Sequence, residues 1–432
     1  MAITKLPPRE TDVEKLKALL VATFLGNNQR PLCEEHLQEL ALLVDTYGVE
    51  VVGSYPCQNR KCDAATYITS GKLEELRMVA DELGANVIII DEEISPSQQR
   101  NLETVFQRPV MDRTEVILGV FGQRAQTKEA RLQIELARVK YQTPRLKRLW
   151  SHLSRQHGSG GGGGHQKGEG EKQIELDRRI LQSRIEQLQS ELEEVKNIRE
   201  TQRAARVRSE IPVFAIIGYT NAGKSTLLNA LTNAGVFVED KLFATLDTTT
   251  RKFKLPNNQD ILLIDTVGFI RKLPHQLVAA FKSTLEEAIQ ADILIHLVDT
   301  SHPMAEEQME ASIEVLKELA SEKKPIITVL NKMDKPEAMA NAPKLKLLNP
   351  NTVVISASEK QGLEDLQAAM IYEISKFRKE VNLRVPQSDY HIISQAMKLG
   401  NVLNQDYDEN DVLLRVDLPT AIADKLSKYI VP

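Results

Sequence analysis

A glycine-rich segment that directly follows a short apolar stretch constrains the fold of this chain more than any other feature. Val213–Ile217 reads VFAII, which is the β-branched, apolar pattern of a buried strand. Gly218–Ser225 follows as GYTNAGKS and matches the phosphate-loop pattern GxxxxGK[ST]. Leu227, Leu228 and Leu231 then recur at helical spacing. A strand, a glycine loop and a helix in this order predict a P-loop nucleotide-binding domain.

Each position in this loop suits a phosphate ligand. Gly218 and Gly223 allow the chain to wrap around phosphates so that backbone N–H groups point inward. Lys224 would place a positive charge on the β- and γ-phosphates, and the Ser225 hydroxyl would bind Mg²⁺. The N-terminus of the following helix adds a partial positive charge. The other predicted nucleotide contacts in the loop are Tyr219, Thr220, Asn221, Ala222 and Thr226.

Two further segments have the features of nucleotide-sensing switches. Ile261–Ile264 predicts a buried strand that leads to DTVG, with Asp265 near Mg²⁺ through a water molecule and the Gly268 N–H at the γ-phosphate. Thr266 and Val267 complete this switch II motif. The first switch needs a threonine between Ser225 and Asp265. The four candidates are Thr245, Thr248, Thr249 and Thr250. We favour Thr245 as the ligand of Mg²⁺ and the γ-phosphate, with nucleotide contacts also at Phe243, Ala244, Leu246 and Asp247.

The last two motifs predict selectivity for guanine. Ile326–Leu330 predicts a strand that leads to NKMD at Asn331–Asp334. The Asp334 carboxylate can accept hydrogen bonds from N1–H and the 2-amino group of guanine, and adenine lacks both donors. Asn331 would tie this loop to the phosphate loop, while the stem of Lys332 would pack on the base and Met333 would lie beside it. After a strand at Val353–Ile355, the segment Ser356, Ala357 and Ser358 would offer a backbone N–H to the guanine oxygen.

The remaining patterns predict an α/β protein with four parts. A small N-terminal α/β domain occupies residues 1–126, with helical spacing at Val13–Phe24 and at Glu34–Thr46. A helical hairpin occupies residues 127–209, the nucleotide-binding domain residues 210–376, and a small C-terminal subdomain residues 377–432. In that subdomain we predict a strand at Asp411–Val416 and a helix at Thr420–Lys428.

Two long amphipathic patterns, Thr127–Trp150 and Gln173–Arg208, predict an antiparallel hairpin whose tip loop spans residues 157–172. In the second helix, a near-heptad seam is formed by Ile174, Ile180, Leu181, Ile185, Leu188, Leu192, Val195 and Ile198. Consecutive glycines at Gly160–Gly164 interrupt regular structure. The residues alone leave two interpretations open, a flexible linker or a loop that binds nucleic acid. The candidate RNA contacts are basic: Arg145, Lys147, Arg148, Arg155, His157, His165 and Lys167.

Composition excludes several classes of protein. A net charge of −5 means that any nucleic-acid site must be local. Three cysteines, Cys33, Cys57 and Cys62, are too few for a disulfide framework, and no second ligand pair accompanies Cys57 and Cys62 to make a zinc site. No apolar stretch approaches the roughly 20 residues of a membrane span, and the first residues lack a signal-peptide core. We therefore expect a cytoplasmic protein. We also expect it to be a monomer.

Five segments of the chain resemble the HflX family, within the Obg–HflX group of translational GTPases. They are LFATLDTTTR, DTVGFIRKLPHQLVAAFKSTLEE, DEEISPSQQRNLE, the stretch from VMDRTEVILG to KYQTPRL, and the glycine loop followed by ELDRR. The resemblance favours Thr245, since it lies in the matching FATLD. It also implies a GTPase that binds the large ribosomal subunit, splits or rescues stalled ribosomes, and directs its hairpin loop toward the peptidyl-transferase region. The family's loop ends in GPGE, whereas this one reads GEGE with Glu169 in the proline position.

Phe269 stands where many small GTPases carry a water-orienting glutamine, and the resemblance implies that an apolar residue is normal there. Because such a side chain cannot polarise water, we predict slow hydrolysis that the ribosome stimulates. A packing role for Phe269 is the alternative. Three rival functions also remain: a large-subunit assembly GTPase, an additional ATP-dependent RNA-remodelling activity in the N-terminal domain, and a regulatory G protein that binds protein effectors. Gly71-Lys72 lacks the glycine spacing of a second phosphate loop.

Overall fold

The structure is a computed structural model that describes residues 16–59, 61–145, 167–207, 211–232, 241–246, 248–273, 290–318, 324–349, 351–408 and 410–431. The described residues up to 191 form one compact unit, and those from 192 onward form a second. Within these ranges, no helix is long and apolar enough to cross a membrane.

The first unit is built on a four-stranded parallel sheet in the order β2-β1-β3-β4. Its strands are β1 (Lys17–Phe24), β2 (Glu50–Gln58), β3 (Val87–Ile90) and β4 (Val110–Asp112). Its helices are α1 (Arg30–Tyr47), α2 (Ser70–Glu82), α3 (Pro96–Phe106), α4 (Arg113–Arg124) and α5 (Lys128–Gln142).

The prediction of helical structure at Val13–Phe24 is wrong for the residues described there, because Lys17–Phe24 is strand β1. Ala18, Leu19, Leu20 and Val21 are all buried, as expected for a central parallel strand that is covered on both faces. Such a strand carries a continuous apolar run, and a run of this length also satisfies helical spacing. The helix predicted at Glu34–Thr46 lies within α1, and Ser95 begins α3 with a capping box that Gln98 completes.

The two helices of the predicted hairpin differ in extent from the prediction. Helix α5 ends at Gln142 and is followed by a 3₁₀ turn at Thr143–Arg145, so it is shorter than the predicted Thr127–Trp150. Helix α6 (Lys167–Val207) begins six residues before the predicted Gln173 and includes part of the predicted tip loop. Arg184 on α6 forms an ion pair with Glu135 on α5 at 2.6 Å.

The predicted seam of α6 is buried only at its centre. Ile185 and Leu188 are buried, whereas Ile180 and Ile198 are 57% and 62% exposed. Leu181, Leu192 and Val195 are half-buried. The seam is therefore most deeply buried at Ile185 and Leu188, and the side chain of Ile174 lies outside the described residues.

The second unit contains a six-stranded sheet in the order β10-β9-β8-β5-β7-β6, in which only β6 is antiparallel. Its strands are β5 (Val213–Gly218), β6 (Thr249–Lys254), β7 (Asp260–Asp265), β8 (Ile293–Asp299), β9 (Ile326–Asn331) and β10 (Thr352–Val354). Its helices are α7 (Lys224–Thr232), α8 (Ala305–Glu318), α9 (Pro336–Leu348) and α10 (Leu363–Ser375). The strands expected before each nucleotide motif are present. They could be predicted because buried parallel strands carry continuous apolar runs in the sequence.

The chain ends in an antiparallel sheet in the order β12-β13-β11-β14. Its strands are β11 (Arg378–Pro386), β12 (Asn401–Asp408), β13 (Asp411–Pro419) and β14 (Ile430–Val431), with helices α11 (Tyr390–Leu399) and α12 (Thr420–Lys425). Strand β13 contains the predicted Asp411–Val416. The predicted helix at Thr420–Lys428 ends early, at Lys425, and a 3₁₀ turn occupies Ser427–Tyr429.

Candidate nucleotide site

The phosphate loop leaves β5 through two glycines that no other residue could replace without strain. Gly218 has φ +151°, and a Cβ there would lie 2.2 Å from the Leu297 carbonyl oxygen. Gly223 has φ +96°, and a Cβ there would lie 2.5 Å from Nδ2 of Asn331. Both values are far below a normal carbon contact, so the loop depends on glycine for its backbone angles and for its close packing on β8 and β9.

The loop borders a cavity that is open to solvent. Its lining includes most of the predicted contacts of the phosphate loop and three of those of switch I, together with one residue that the motifs did not predict, Lys241. The predicted contacts Gly218, Tyr219, Ala222 and Leu246 are not among the lining residues. The lining residues are Thr220, Asn221, Gly223, Lys224, Ser225, Thr226, Lys241, Phe243, Ala244, Thr245 and Gly268. Segments that are distant in the sequence therefore meet at the carboxyl ends of parallel strands, which is where open α/β sheets bind ligands.

Lys224 is almost completely buried beneath this cavity. Its Nζ donates to the carbonyl oxygens of Tyr219 at 2.8 Å and Gly218 at 3.3 Å. Burial lowers the pKa of Lys224 from 10.5 to about 8, and the charge of Asp265 opposes that shift. A phosphate in the cavity would restore a strong preference for the charged amine, so the position suits an anionic ligand.

Three oxygen groups that were predicted to surround Mg²⁺ converge at one point. The Ser225 hydroxyl lies 2.7 Å from the Thr245 hydroxyl and donates to Oδ2 of Asp265 at 2.7 Å. Thr245 also reaches Oδ2 of Asp265, at 3.3 Å. Oδ1 of Asp265 is buried and has no hydrogen-bond partner among the described residues, and burial raises the pKa of this carboxyl. Hydroxyl and carboxylate oxygens are the ligands that Mg²⁺ prefers, so these residues fit the ion.

The other threonine candidates occupy different positions. Thr249 and Thr250 lie in β6, where their backbones pair with Asp265 and Ile264. Thr248 precedes that strand, and Asp247 lies outside the described residues. Leu246 is buried and does not border the cavity, whereas Thr245 does.

Asn331 connects three of the predicted motifs. Its Nδ2 donates to the Ala222 carbonyl oxygen at 2.9 Å, and its Oδ1 accepts from the Ala357 N–H at 3.0 Å. Oδ1 of Asp334 accepts from the Ser356 hydroxyl at 2.6 Å and from the Ser358 hydroxyl at 3.3 Å. The Ser356 hydrogen bond is the main cause that lowers the pKa of Asp334, so its carboxylate stays ionised and able to accept.

Lys332 has a partner that the motifs did not predict. Its Nζ donates to Oδ2 of Asp299 at 2.7 Å, and its backbone has φ +64°. Asp299 is the last residue of β8 and pairs with Asn331 on β9. In the sequence, the acidic residue at the end of a buried apolar strand, Asp299, is the feature that could have indicated this partner for Lys332. The ion pair holds the lysine stem beside the loop in which Met333 is half-buried.

The structure contradicts the predicted RNA contact at Arg145. The side chain is 7% exposed and packs over the Tyr141 ring at 3.7 Å. Its nitrogens donate to Oε1 of Gln99 at 3.0 Å, to the Ile94 carbonyl oxygen at 2.7 Å and to Oδ2 of Asp112 at 3.4 Å. A guanidinium with these partners neutralises a buried carboxylate and has no surface to offer RNA. The 3₁₀ turn at the end of α5 directs it inward.

The other RNA candidates are not tested by the structure. Lys147, Arg148, Arg155, His157 and His165 lie outside the described residues. Lys167 is the first residue of α6, and its side chain also lies outside the description.

Comparison with known proteins agrees with this geometry. Residues 213–332 match a family described as 50S ribosome-binding GTPase. Residues 34–122 and 124–206 match the families described as GTP-binding GTPase N-terminal and GTP-binding GTPase Middle Region. A GTPase HflX from Chlamydia pneumoniae is 47% identical over 98% of this chain and 90% of its own length.

The chain belongs to the HflX family of GTPases. A second relative, GTPase HflX from Escherichia coli strain K12, is 39% identical over 89% of this chain and 90% of its own length. Among solved structures, the chain is similar to a GTP-binding protein from the hyperthermophilic archaeon Sulfolobus solfataricus, whose crystal structure contains GDP. The two sequences are 28% identical, and the alignment covers 84% of this chain and 99% of the archaeal chain with a TM-score of 0.41. The family and the P-loop domain together make the protein a GTP-hydrolysing enzyme of α/β fold.

Proposed function

We propose that this HflX-family GTPase binds the large ribosomal subunit in its GTP state and splits or rescues stalled ribosomes. The family that matches residues 213–332 is described by 50S ribosome binding. In the sequence between α5 and α6, Lys147, Arg148 and Arg155 form a basic segment, and we assign it contacts with rRNA phosphates. The GTP state would order Thr245 and Gly268 around the γ-phosphate, and hydrolysis would release them.

The observation that carries the need for a partner is the position of Phe269. This residue directly follows the switch II glycine, is 2% exposed, and pairs its backbone with Tyr219. An apolar side chain held in this way cannot orient or polarise an attacking water. The chain's described residues therefore supply charge and position, and we propose that ribosome binding completes the geometry for hydrolysis.

The residues of the site divide the chemistry of hydrolysis among them. Lys224 would neutralise charge on the β- and γ-phosphates, and the Gly268 N–H would donate to the γ-phosphate. Ser225 and Thr245 would hold Mg²⁺ directly and Asp265 through water, and the bound ion would neutralise charge on the phosphate oxygens. Asp334 would select guanine. Among the described residues, these roles amount to positioning and electrostatic stabilisation.

The first test is GTP hydrolysis titrated with purified large subunits. We expect the rate to rise steeply for the intact protein and to rise much less for a variant that lacks Gly158–Gly170. Because that deletion removes the start of α6, a second variant reverses charge at Lys147, Arg148 and Arg155 and leaves the helix intact. Its matched control reverses charge at Arg178, Arg179 and Lys196, which are exposed on α6. Equal rates with and without subunits would overturn the proposal.

A second test examines the nucleotide switch. Protein loaded with a non-hydrolysable GTP analogue should sediment with large subunits, and protein loaded with GDP should not. Binding should weaken steeply between 50 and 200 mM salt, since phosphate contacts release counterions. Equal sedimentation of both forms would contradict the switch.

Two alternatives predict different outcomes. A large-subunit assembly role predicts that depletion causes precursor subunits to accumulate, whereas a splitting role predicts accumulation of stalled ribosomes. An ATP-dependent activity in the first unit predicts ATP binding that survives Lys224→Ala. Two features of the first unit favour a scaffold. Lys72 pairs with Glu75 at 2.6 Å, and the ends of β3 and β4 carry the buried acids Asp91 and Asp112, which disfavour an anionic ligand.

A further inference from the structure

Switch II is joined to the phosphate loop by a series of hydrogen bonds that surround Gly268. Upstream of the glycine, the Thr266 hydroxyl donates to the Ile216 carbonyl oxygen at 2.7 Å. Downstream, the Phe269 N–H donates to the Gly218 carbonyl oxygen at 3.0 Å, and the Phe269 carbonyl oxygen accepts from the Thr220 N–H at 2.7 Å. The glycine is therefore anchored on both sides to the strand and loop that carry the phosphate site.

The register of these bonds creates a bulge at the switch. Ile216 pairs with Asp265, and three residues later Tyr219 pairs with Phe269. The switch strand needs four residues to cover the distance that the phosphate loop covers in three. The extra residue lies between the two paired ends, and Gly268 in this bulge borders the phosphate cavity.

Gly268 lies directly against the phosphate loop. A Cβ at this position would lie 2.8 Å from Lys224 Nζ and 2.8 Å from the Thr220 Cα. The backbone of the switch is therefore in close contact with the lysine that is assigned to the phosphates. Small displacements of the bulge would move the Gly268 N–H relative to that charge, so the bonds that fix the bulge bear on hydrolysis.

A further hydrogen bond to switch II is made by a side chain of the phosphate loop. The Tyr219 hydroxyl accepts from the Arg271 N–H at 2.7 Å across 52 residues. Tyr219 is 4% exposed and Arg271 is 8% exposed, so solvent has little access to either group. We propose that Tyr219 is a positioning residue for GTP hydrolysis, whose hydroxyl couples the phosphate loop to switch II and holds Gly268 within reach of the γ-phosphate.

This coupling goes beyond the ribosomal role and does not depend on it, but it rests on the proposed contact between Gly268 and the γ-phosphate. It also predicts a particular pattern of nucleotide affinity. GDP has no γ-phosphate, so its binding uses the phosphate loop and the base site and should be insensitive to the order of switch II. GTP binding and hydrolysis should both depend on that order.

Tyr219→Phe removes only the hydroxyl and keeps the ring, leaving the Arg271 N–H buried without its acceptor. We expect the preference for a non-hydrolysable GTP analogue over GDP to fall about five- to twentyfold, as for loss of one buried hydrogen bond. The single-turnover hydrolysis rate of the isolated protein should fall in parallel, while the GDP dissociation constant changes by less than about twofold. Thr266→Val, which removes the upstream anchor, should act in the same direction.

The matched control is Tyr390→Phe, since Tyr390 is 70% exposed on α11, and it should leave both quantities unchanged. A structural role alone predicts that Tyr219→Phe lowers the melting temperature and leaves the analogue-to-GDP ratio intact, and that result would overturn the proposal. Gly268→Ala separates the two assumptions. If that variant retains the preference for the GTP analogue, the assignment of Gly268 fails and the proposal fails with it. If it loses the preference while Tyr219→Phe retains it, only the role of Tyr219 is overturned.

Discussion

The guanidinium of Arg145 lies 3.4 Å from the carboxylate of Asp112, and both side chains are buried. Asp112 also accepts from the Tyr141 hydroxyl and from the Glu115 N–H at the start of α4, each at 2.8 Å. The end of α5 is thereby joined to the carboxyl end of β4. Burial nonetheless raises the pKa of Asp112 to about 6, so this carboxylate depends on its partners to remain charged.

We therefore expect Arg145→Ala to lower the free energy of unfolding of the first unit by about 3–5 kcal/mol, because it leaves a buried carboxylate without its counter-ion. Urea unfolding followed by circular dichroism would measure the change. Arg138→Ala is the control, since Arg138 is exposed on α5, just before the 3₁₀ turn that carries Arg145, and should cost less than about 0.5 kcal/mol. Equal stability of the two variants would show that the Arg145 cluster does not stabilise the fold.

Ser356 and Ser358 provide a graded test of the guanine site. The Ser356 hydroxyl is 2.6 Å from Asp334 and is the main group that lowers its pKa, whereas the Ser358 hydroxyl is 3.3 Å away. Ser356→Ala should weaken GDP binding by about three- to tenfold, and Ser358→Ala by less, because the shorter bond contributes more to the carboxylate's orientation. Fluorescent GDP titration measures both. A larger effect at Ser358 would contradict this geometry.

The assignment of switch I predicts that one threonine matters far more than its neighbours. Thr245→Ala removes the hydroxyl that meets Ser225 and Asp265, and should lower GTP hydrolysis and raise the Mg²⁺ concentration required by roughly 10- to 100-fold. Thr250→Ala is the control, since Thr250 is a residue of β6 and does not line the cavity. Comparable losses in both variants would remove the distinction between the candidates.

His296 predicts that acid destabilises the second unit. It lies on β8, is 2% exposed, and burial lowers its pKa to about 4 from 6.5. Because the folded pKa is lowered, the neutral form stabilises the fold above pH 6.5, and this contribution is lost as the pH falls from 6.5 toward 4. The loss should reach about 2 kcal/mol at pH 5.

His296→Leu should remove most of that loss while leaving a folded protein. The residue lies in the middle of β8 and its side chain is buried, so an apolar side chain suits the position. The measurement is the unfolding free energy at pH 7.5 and pH 5, compared between variant and original. His391→Gln, at an exposed position of α11, should leave the acid dependence unchanged. An unaltered acid dependence in His296→Leu would mean that this histidine does not titrate with unfolding.

Sequence patterns predicted the nucleotide-binding sheet well because buried parallel strands carry one continuous signal. The strand predicted at Ile326–Leu330 is Ile326–Asn331 in the structure, and that at Ile261–Ile264 is Asp260–Asp265. The same rule explains the error at β1, where a long apolar run was assigned to a helix. From the sequence, no strand is predicted at β11 of the C-terminal sheet. Its buried Val381, Leu383 and Val385 nevertheless alternate with exposed neighbours, which is the two-residue period of a strand with one buried face.

The sequence by itself determined the class of ligand and the family, because the phosphate, switch and guanine motifs depend on local spacing after strands that local composition identifies. Only the tertiary structure decided which side chains those motifs rely on. It turned Arg145 inward against Asp112, paired Lys332 with Asp299, and joined Tyr219 to Arg271. These contacts link residues that are between 33 and 52 positions apart. They form because packing of the strands and helices brings their ends together, and no local period in the chain encodes that proximity.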